Sequence, residues 1–333
     1  MKKKTKIAIN GYGRIGRNLF RLLISHPTIE VVAINDIADA HTMAHLTKYD
    51  SIHGTLPYTV SHTEDSIIID GHSYPFVRQK DVSDINWAAY DVDIVVESTG
   101  KFKTLENAQK HLSSGAKKVI LSAPPEDDRI KTVVLGVNEG ILDGAETVIS
   151  NASCTTNNAA PMMKIINELC GIEQAYITTV HSYTTDQSLH DQPHKDLRRA
   201  RGASQSIVPT TTGAAKALTK IFPEFVGKIG GGGIRVPVPD GSLTDITCYV
   251  RKEVSIAQIN DAFKTAAEGE LKGILAYTED PIVSVDVIGV RNSCLFDAQL
   301  TSVIDKMVKV VGWYDNEIGY SSRLIDLITF VSK

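Results

Sequence analysis

Cysteine is scarce in this chain: 333 residues hold only Cys154, Cys170, Cys248 and Cys294, far apart and with no C-x-x-C pair. Such spacing argues against a disulfide framework, which a chain this long does not need, and against a zinc site, so no metal is expected. A reducing, cytoplasmic setting is the expectation, and it leaves at least one thiol free to act as a nucleophile. No apolar run reaches the eighteen or so residues of a membrane-spanning helix. The opening MKKKTKIAIN has lysines but no apolar core, so it does not read as a secretory signal. A basic surplus is missing too: 35 Lys and Arg against 39 Asp and Glu leave a net charge of −4, which speaks against a dedicated nucleic-acid binder. Neither an internal repeat nor a low-complexity linker is present.

What is there is the composition of an ordinary globular protein, 42% hydrophobic and 22% charged. The length favours two domains. In the first half, short apolar runs alternate with helical stretches. KIAIN (6–10), EVVAIND (30–36), DIVVEST (93–99), KKVILSAP (117–124) and TVVLGV (132–137) read as buried strands. RNLFRLLIS (17–25) and AHTMAHLTKY read as helices between them. Continuous Val/Ile runs separated by helices predict a doubly wound α/β domain with a parallel sheet of Rossmann type. After about residue 152 the pattern changes. A helix (NAAPMMKIINELC) precedes longer, more alternating strands in QAYITTVHSY, GGIRVPVPDG, SLTDITCYVRKEV, VSVDVIGV and KMVKVVGWYD. These predict an α+β domain with a mostly antiparallel sheet. The expected division is 1–152, completed by a C-terminal helix over 318–333, and 153–317. The polar stretch from Ser182 to Ser206 reads as a long ordered loop, and loops of that length are usually functional.

Gly11, Gly13 and Gly16 form a G-x-G-x-x-G turn directly after the strand KIAIN and at the start of a helix. The first glycine permits the tight turn, the second lets backbone approach a pyrophosphate, and the third lets helix and strand pack closely. The helix N-terminus then offers N–H groups and a partial positive charge. The next strand ends in Asp36, 20 residues after Gly16, where a carboxylate accepts from ribose hydroxyls and repels a 2′-phosphate. The pattern therefore favours NAD over NADP. The bland alternative is a plain turn, with Asp36 capping the following helix.

Cys154 stands among Ser153, Thr155 and Asn157 at a helix start, where the dipole and N–H groups favour a thiolate. Cys170, Cys248 and Cys294 sit in or beside apolar runs and read as small buried hydrophobes. His181 ends the strand AYITTV and begins a polar loop, so it can enter a cleft as the base of a Cys–His pair. Spacing alone leaves that pairing open.

The blocks INGYGRIGR, SNASCTTN, HSYTTDQ, HKDLRRAR, PTTTGAAKA and GWYDNEIGY, running in order from residue 9 to residue 320, resemble phosphorylating glyceraldehyde-3-phosphate dehydrogenases of the NAD-dependent bacterial type. The resemblance implies that Cys154 attacks the aldehyde of glyceraldehyde 3-phosphate, that His181 handles the proton, and that oxidation leaves a thioester which inorganic phosphate cleaves. It assigns Thr184 and Arg235 to the substrate phosphate. It assigns Ser153, Thr212 and Gly213 to the attacking phosphate with Arg199 close by, and Thr155 stands beside the nucleophile. Arg14, Ile15, Arg78 and Ser122 are expected to contact the cofactor. Asn316 is expected to hold the nicotinamide carboxamide and Tyr320 to pack near the ring. The residues agree with the chemistry: PTTTGAAKA turns into a helix as an anion cradle, and Arg235 lies in an apolar strand where an unpaired charge is costly. Arg198 and Arg201 read instead as ties for the loop or a subunit contact, and Asn316 can also be read as a turn residue.

Many members of the family carry a second cysteine four residues after the nucleophile, where this chain has Asn158. The chemistry does not require it, but oxidation of Cys154 without an intrachain disulfide is expected. The four glycines of KIGGGGIRV suggest an unusually pliable segment. Erythrose-4-phosphate dehydrogenase is the nearest alternative, suggested by ASQSIVP (203–209) and disfavoured by Thr184. A different class of role, as a binding module for RNA or a surface component, has no support in the charge balance. The resemblance also implies a homotetramer, with the 182–206 loop at a subunit interface.

Overall fold

A computed structural model describes residues 4–333, which divide into two compact units. One comprises the chain through Val133 together with Glu139–Ala152 and Ser321–Lys333; the other comprises Val134–Asn138 and Ser153–Tyr320.

In the first unit the chain runs β1 (Thr5–Asn10), α1 (Arg14–Leu23), β2 (Ile29–Asn35) and α2 (Ala40–Lys48). A two-residue hairpin, β3 (Tyr49–Asp50) and β4 (Gly54–Thr55), leads to β5 (Val60–His62), β6 (Ser66–Ile69) and β7 (His72–Val77). Then come β8 (Ile94–Glu97), α3 (Leu105–Ser113), β9 (Lys118–Leu121), β10 (Lys131–Thr132) and β11 (Val148–Ser150). The sheet order is β10-β11-β9-β8-β1-β2-β7-β6-β5, parallel from β10 to β7 and antiparallel beyond. Ile7, Ala8, Ile9, Val95 and Val96 are fully buried, as continuous apolar strands covered on both faces must be. Ala8, Ala33, Val95 and Trp87 share one cluster; Ala108, Val119, Leu121 and Val148 form another under α3. The strand order reverses between β1 and β8, the topological switch point where ligands of such sheets bind. One expected strand fails. TVVLGV pairs only at Lys131–Thr132, because Val137 and Asn138 both donate back to the Val134 carbonyl and close a turn.

The second unit follows as α4 (Cys154–Cys170), β12 (Ile172–Ser182), β13 (Val208–Thr210), α5 (Ala214–Ile221), β14 (Ile229–Val236), β15 (Ser242–Val250) and α6 (Ile256–Glu268). It closes with β16 (Leu275–Thr278), β17 (Cys294–Asp297), β18 (Ser302–Ile304), β19 (Met307–Tyr314) and the start of α7 (Ile318–Val331). The sheet order is β13-β14-β12-β15-β19-β17-β16, with β18 on β19, and only β12–β14 and β16–β17 pair in parallel. Along β15 every second residue from Ser242 to Val250 is buried, the alternation of a sheet with one covered face. Helix α4 packs on β12, β15, β17 and β19 and touches α5 and α6.

Two expectations are corrected here. VSVDVIGV is not a strand: Ser284–Val287 is a short 3-10 turn closed by Val283 N–H donating to Asp286 (2.8 Å), with Val283 and Val285 exposed. Nor are the four glycines a loose segment. They lie inside β14, paired to β12 on one side, with Gly233 also paired to β13. A Cβ on Gly231 would stand 2.9 Å from the Ile177 carbonyl oxygen, and one on Gly230 3.1 Å from the Tyr176 ring. Close packing, not pliability, calls for glycine there. Helix α6 adds to the expected elements, and Ser255 and Gln258 form its capping box.

Candidate active site

The carboxyl edge of the parallel sheet gathers the residues of the G-x-G-x-x-G region. Gly11 has φ +93°, and a Cβ on it would lie 2.6 Å from the Thr99 amide nitrogen. A Cβ on Gly16 would lie 2.2 Å from the Gly11 carbonyl oxygen, so helix and turn pack as closely as the motif requires. At Gly13, the N-cap of α1, nothing lies within 4 Å of that position, so a ligand can approach the backbone. Arg14 and Ile15 form the first turn, whose N–H groups point out of the helix end. The Arg14 guanidinium pairs with Asp50 (2.6 Å). Asp36 accepts from the Tyr12 N–H (2.7 Å) and from the Ala38 N–H (3.0 Å). Helix α2 is capped by Asp39, not by Asp36, which removes the bland reading of Asp36. Exposed Arg78 directly follows β7, whose Val77 carbonyl accepts from the Asp36 N–H. Ser122 follows β9 and donates its N–H to the Glu97 carbonyl.

In the second unit, Ser153 is the N-cap of α4, its hydroxyl accepting from the Thr156 N–H (3.1 Å), and Cys154 is the first helical residue. Ala152, the residue before Ser153 and part of the first unit, has φ +56°, an unusual conformation for a residue with a side chain. His181 and Arg235 are register partners on β12 and β14. The His181 Nε2 lies 3.5 Å from the Cys154 Sγ. Its Nδ1 lies 2.8 Å from the Ser182 carbonyl oxygen and 2.6 Å from Arg235 Nη1, which also donates to that carbonyl (2.8 Å). A guanidinium can only donate, so in this arrangement Nδ1 accepts and Nε2 presents its proton to sulfur. Burial, then the Arg235 charge, pushes the His181 pKa down to about 3. Burial pushes the Cys154 thiol up, while the Arg235 charge and the Thr155 N–H and hydroxyl pull it back toward thiolate.

A hydroxyl chain supports this pair. Tyr314, on β19, has its ring edge-on to His181 at 5.9 Å, and its hydroxyl meets those of Thr155 and Thr179, each at 2.9 Å. Thr179 spends its proton on the Leu243 carbonyl, so Tyr314 donates to Thr179 and accepts from Thr155. Asn316 is buried with its Oδ1 accepting from the hydroxyls of Ser182 (2.9 Å) and Ser242 (2.7 Å), which directs its amide nitrogen the other way. Tyr320 is buried, and that burial raises its phenol pKa well above the ordinary value, with the Cys154 charge adding to the effect. Arg199 pairs with Asp186 and reaches the Thr211 carbonyl (3.4 Å), beside Thr212 and Gly213 at the start of α5. Thr184 is three residues beyond His181, half-buried, its carbonyl accepting from the Gln187 N–H.

Comparison with known proteins decides the family. Residues 5–105 match the NAD binding domain of glyceraldehyde 3-phosphate dehydrogenase, and residues 153–316 match its C-terminal domain. The chain belongs to the glyceraldehyde 3-phosphate dehydrogenase family. It is 52% identical over 331 residues to glyceraldehyde-3-phosphate dehydrogenase 1 of Bacillus cereus, covering 99% of both chains. It is 54% identical over 330 residues to glyceraldehyde-3-phosphate dehydrogenase of Geobacillus stearothermophilus, and 54% over 331 residues to glyceraldehyde-3-phosphate dehydrogenase 2 of Streptomyces avermitilis, covering 98% of each chain. As a member it is an NAD-dependent oxidoreductase of glycolysis, and the erythrose-4-phosphate alternative is not favoured. The open backbone at Gly13, with half-buried Asp36 bonded to the same glycine turn through Tyr12, fits a dinucleotide. No helix among the described residues is long and apolar enough to cross a membrane.

Among the described residues all four cysteines are free, and Asn158 donates to the carbonyls of Ser293 and Trp313, both at 3.2 Å, tying α4 to β19. No local pattern in the sequence singles out Tyr314, Thr179 or Ser242, or assigns Ser182 more than the start of a loop. Tyr314 stands inside the block GWYDNEIGY, but only the strand register aims it at His181.

Proposed function

We propose that the chain oxidises and phosphorylates D-glyceraldehyde 3-phosphate to 1,3-bisphosphoglycerate, with Cys154 as nucleophile and His181 as its acid–base partner. The 3.5 Å contact between Cys154 Sγ and His181 Nε2 carries this reading. The sulfur forms a bond to the aldehyde carbon, and the ring relays the sulfur-bound proton to the carbonyl oxygen, giving a thiohemiacetal. NAD, when bound, supplies the two-electron acceptor that converts this species into a thioester. His181 takes the hydroxyl proton in that conversion. Phosphate oxygen then attacks the thioester carbonyl, the carbon–sulfur bond breaks, and the thiolate returns as the acyl phosphate leaves. Arg235 and Thr184 hold the substrate phosphate; Ser153, Thr212 and Gly213, with Arg199 near, hold the attacking one. An anion that draws Arg235 away from Nδ1 frees that nitrogen to donate to the Ser182 carbonyl, which turns Nε2 into an acceptor.

Residues 1–152 with 318–333 form the cofactor domain and 153–317 the catalytic domain. Gly11, Gly13, Arg14, Ile15, Gly16, Asp36, Arg78 and Ser122 hold NAD, with Asn316 and Tyr320 at the nicotinamide. The protein works in the cytoplasm as a homotetramer. Exposure of Leu197 (82%), Ile207 (70%) and Leu189 (58%) on and beside the long loop supports a subunit contact there.

The deciding assay compares glyceraldehyde 3-phosphate with erythrose 4-phosphate, with and without inorganic phosphate. NADH formation that needs both glyceraldehyde 3-phosphate and phosphate is expected; equal turnover of the two aldehydes would sink the assignment. Asp36→Ala is expected to weaken NAD binding about tenfold, the scale of a lost charge-assisted hydrogen bond, with little change for NADP. Calorimetric titration of both dinucleotides checks this, and an unaltered preference counts against Asp36 as the ribose ligand.

A further inference from the structure

Three neighbouring strands of the parallel sheet end in polar side chains that touch one another. Asn35 closes β2, Asn10 closes β1 and Glu97 closes β8, and Asn10 is in register with both of the others. All three are buried, at 4%, 1% and 3% exposure. Asn35 Nδ2 donates to Asn10 Oδ1 (2.7 Å), and Asn10 Nδ2 donates to Glu97 Oε2 (2.5 Å).

A buried carboxylate is costly unless its lone pairs are met. Those of Glu97 are met without Lys or Arg among the described residues. His111 Nε2 lies 3.1 Å from Oε2, and Trp87 Nε1 donates to His111 Nδ1 (3.0 Å), so the ring proton sits on Nε2 and is given to Glu97. Oε1 accepts from the Thr99 N–H (2.8 Å) and from the Thr99 hydroxyl. Four donors therefore meet the carboxylate's roughly four acceptor sites.

These donors come from both sides of the switch point. Asn10 precedes the Gly11 turn; Thr99 lies in the turn after β8, against the face of Gly11 where a Cβ would stand. The Ser98 hydroxyl completes the junction by donating to the Gly11 carbonyl (2.7 Å). Beyond Asn10, Asn35 immediately precedes Asp36 and exchanges hydrogen bonds with the Gln79 backbone. An apolar strand end would pack at lower cost, but it could not hold the two turns at one separation.

We propose that Glu97 is a positioning residue for the dinucleotide: its carboxylate clamps the turn after β1 to the turn after β8, so that the backbone at the switch point meets NAD in one fixed geometry. Glu97→Gln puts an NH2 group against donors at one of its two ends while keeping the shape. Calorimetric titration is expected to show NAD bound at least about tenfold more weakly, the scale of a lost hydrogen bond to a charged group. The loss appears in KM for NAD and not in kcat at saturating NAD, and alkylation of Cys154 in the cofactor-free protein keeps its rate. Thr99→Val, which removes the hydroxyl's bonds to Glu97 and to the Lys101 N–H, is expected to weaken NAD binding about threefold. In the Glu97→Gln background its effect is smaller, since both changes cut one network. A lower Tm with unchanged NAD affinity, a loss confined to kcat, or simple addition of the two effects overturns the proposal. Should Glu97→Gln not fold, Thr99→Val alone decides: weaker NAD binding at an unchanged Tm supports the clamp, and unchanged binding refutes it.

Discussion

Replacing Cys154 by serine is expected to reduce phosphate-dependent NADH formation by about four orders of magnitude or more, the scale seen when the nucleophile of a catalytic unit is removed. Three physical steps add to the loss. A hydroxyl holds its proton far more tightly than a thiol, and burial, which already pushes the Cys154 thiol up, works against ionisation at the same spot. The Arg235 charge and the Thr155 donors that pull a thiolate into reach cannot close that larger gap. Any acyl group formed would be an ester, whose alkoxide leaves less readily than a thiolate when phosphate attacks. The substitution is nearly isosteric at the first residue of α4, so NAD affinity and Tm are expected to stay close to those of the parent protein. A second readout comes from the parent without phosphate: one NADH per chain is expected in a burst, and turnover then slows as the thioester accumulates. Serine at 154 abolishes the burst. Retention of more than one hundredth of the activity, still dependent on phosphate, would remove Cys154 from the nucleophile's role.

The glycine turn and the helix start at Cys154 are legible in the sequence because their signals are local. A strand, a glycine turn and a helix lie within residues 5–23, and the polar run around Cys154 ends in the helix it opens. What could not be read depends on which strands become neighbours. His181 and Arg235 are 54 positions apart, and only the parallel pairing of β12 with β14 makes them register partners. Tyr314 reaches His181 from β19, which pairs with β15 and not with β12 itself. VSVDVIGV shows the converse: alternating valines suggest a strand, but among the described residues no strand pairs with them, and the segment closes on itself. Two further signals stand in the sequence itself. Ser255 with Gln258, followed by buried Ile259, Phe263 and Ala266, marks α6 at helical spacing. The carboxylate of Glu97 ends an otherwise apolar run, an anomaly that calls for partners, which here come from residues 10, 99 and 111.

His181→Asn is expected to lower kcat by about 10²- to 10⁴-fold, the usual contribution of a positioned acid–base group. Asparagine keeps polar atoms near the Ser182 carbonyl and Arg235 but cannot take up the proton released in oxidation. The same substitution makes a separate prediction about acid stability. Burial and Arg235 push the His181 pKa down to about 3 from an ordinary 6.5, so between those values the unfolded chain binds a proton that the folded one refuses. Stability from this residue is thus complete above about pH 6.5 and is lost as pH falls toward about 3. Without the imidazole that penalty disappears. Thermal melts from pH 7 to pH 4 should therefore show a smaller fall in Tm for His181→Asn than for the parent, even though the variant is nearly inactive. Parallel acid curves for the two proteins would mean that the ring is not held neutral by its surroundings. In that event the Arg235 contact, and with it the release of Nδ1 by a bound anion, would lose its physical basis. A variant that lost activity and also lost the acid dependence would tie both to one desolvated ring, held between the Ser182 carbonyl and Arg235 and facing the Cys154 sulfur.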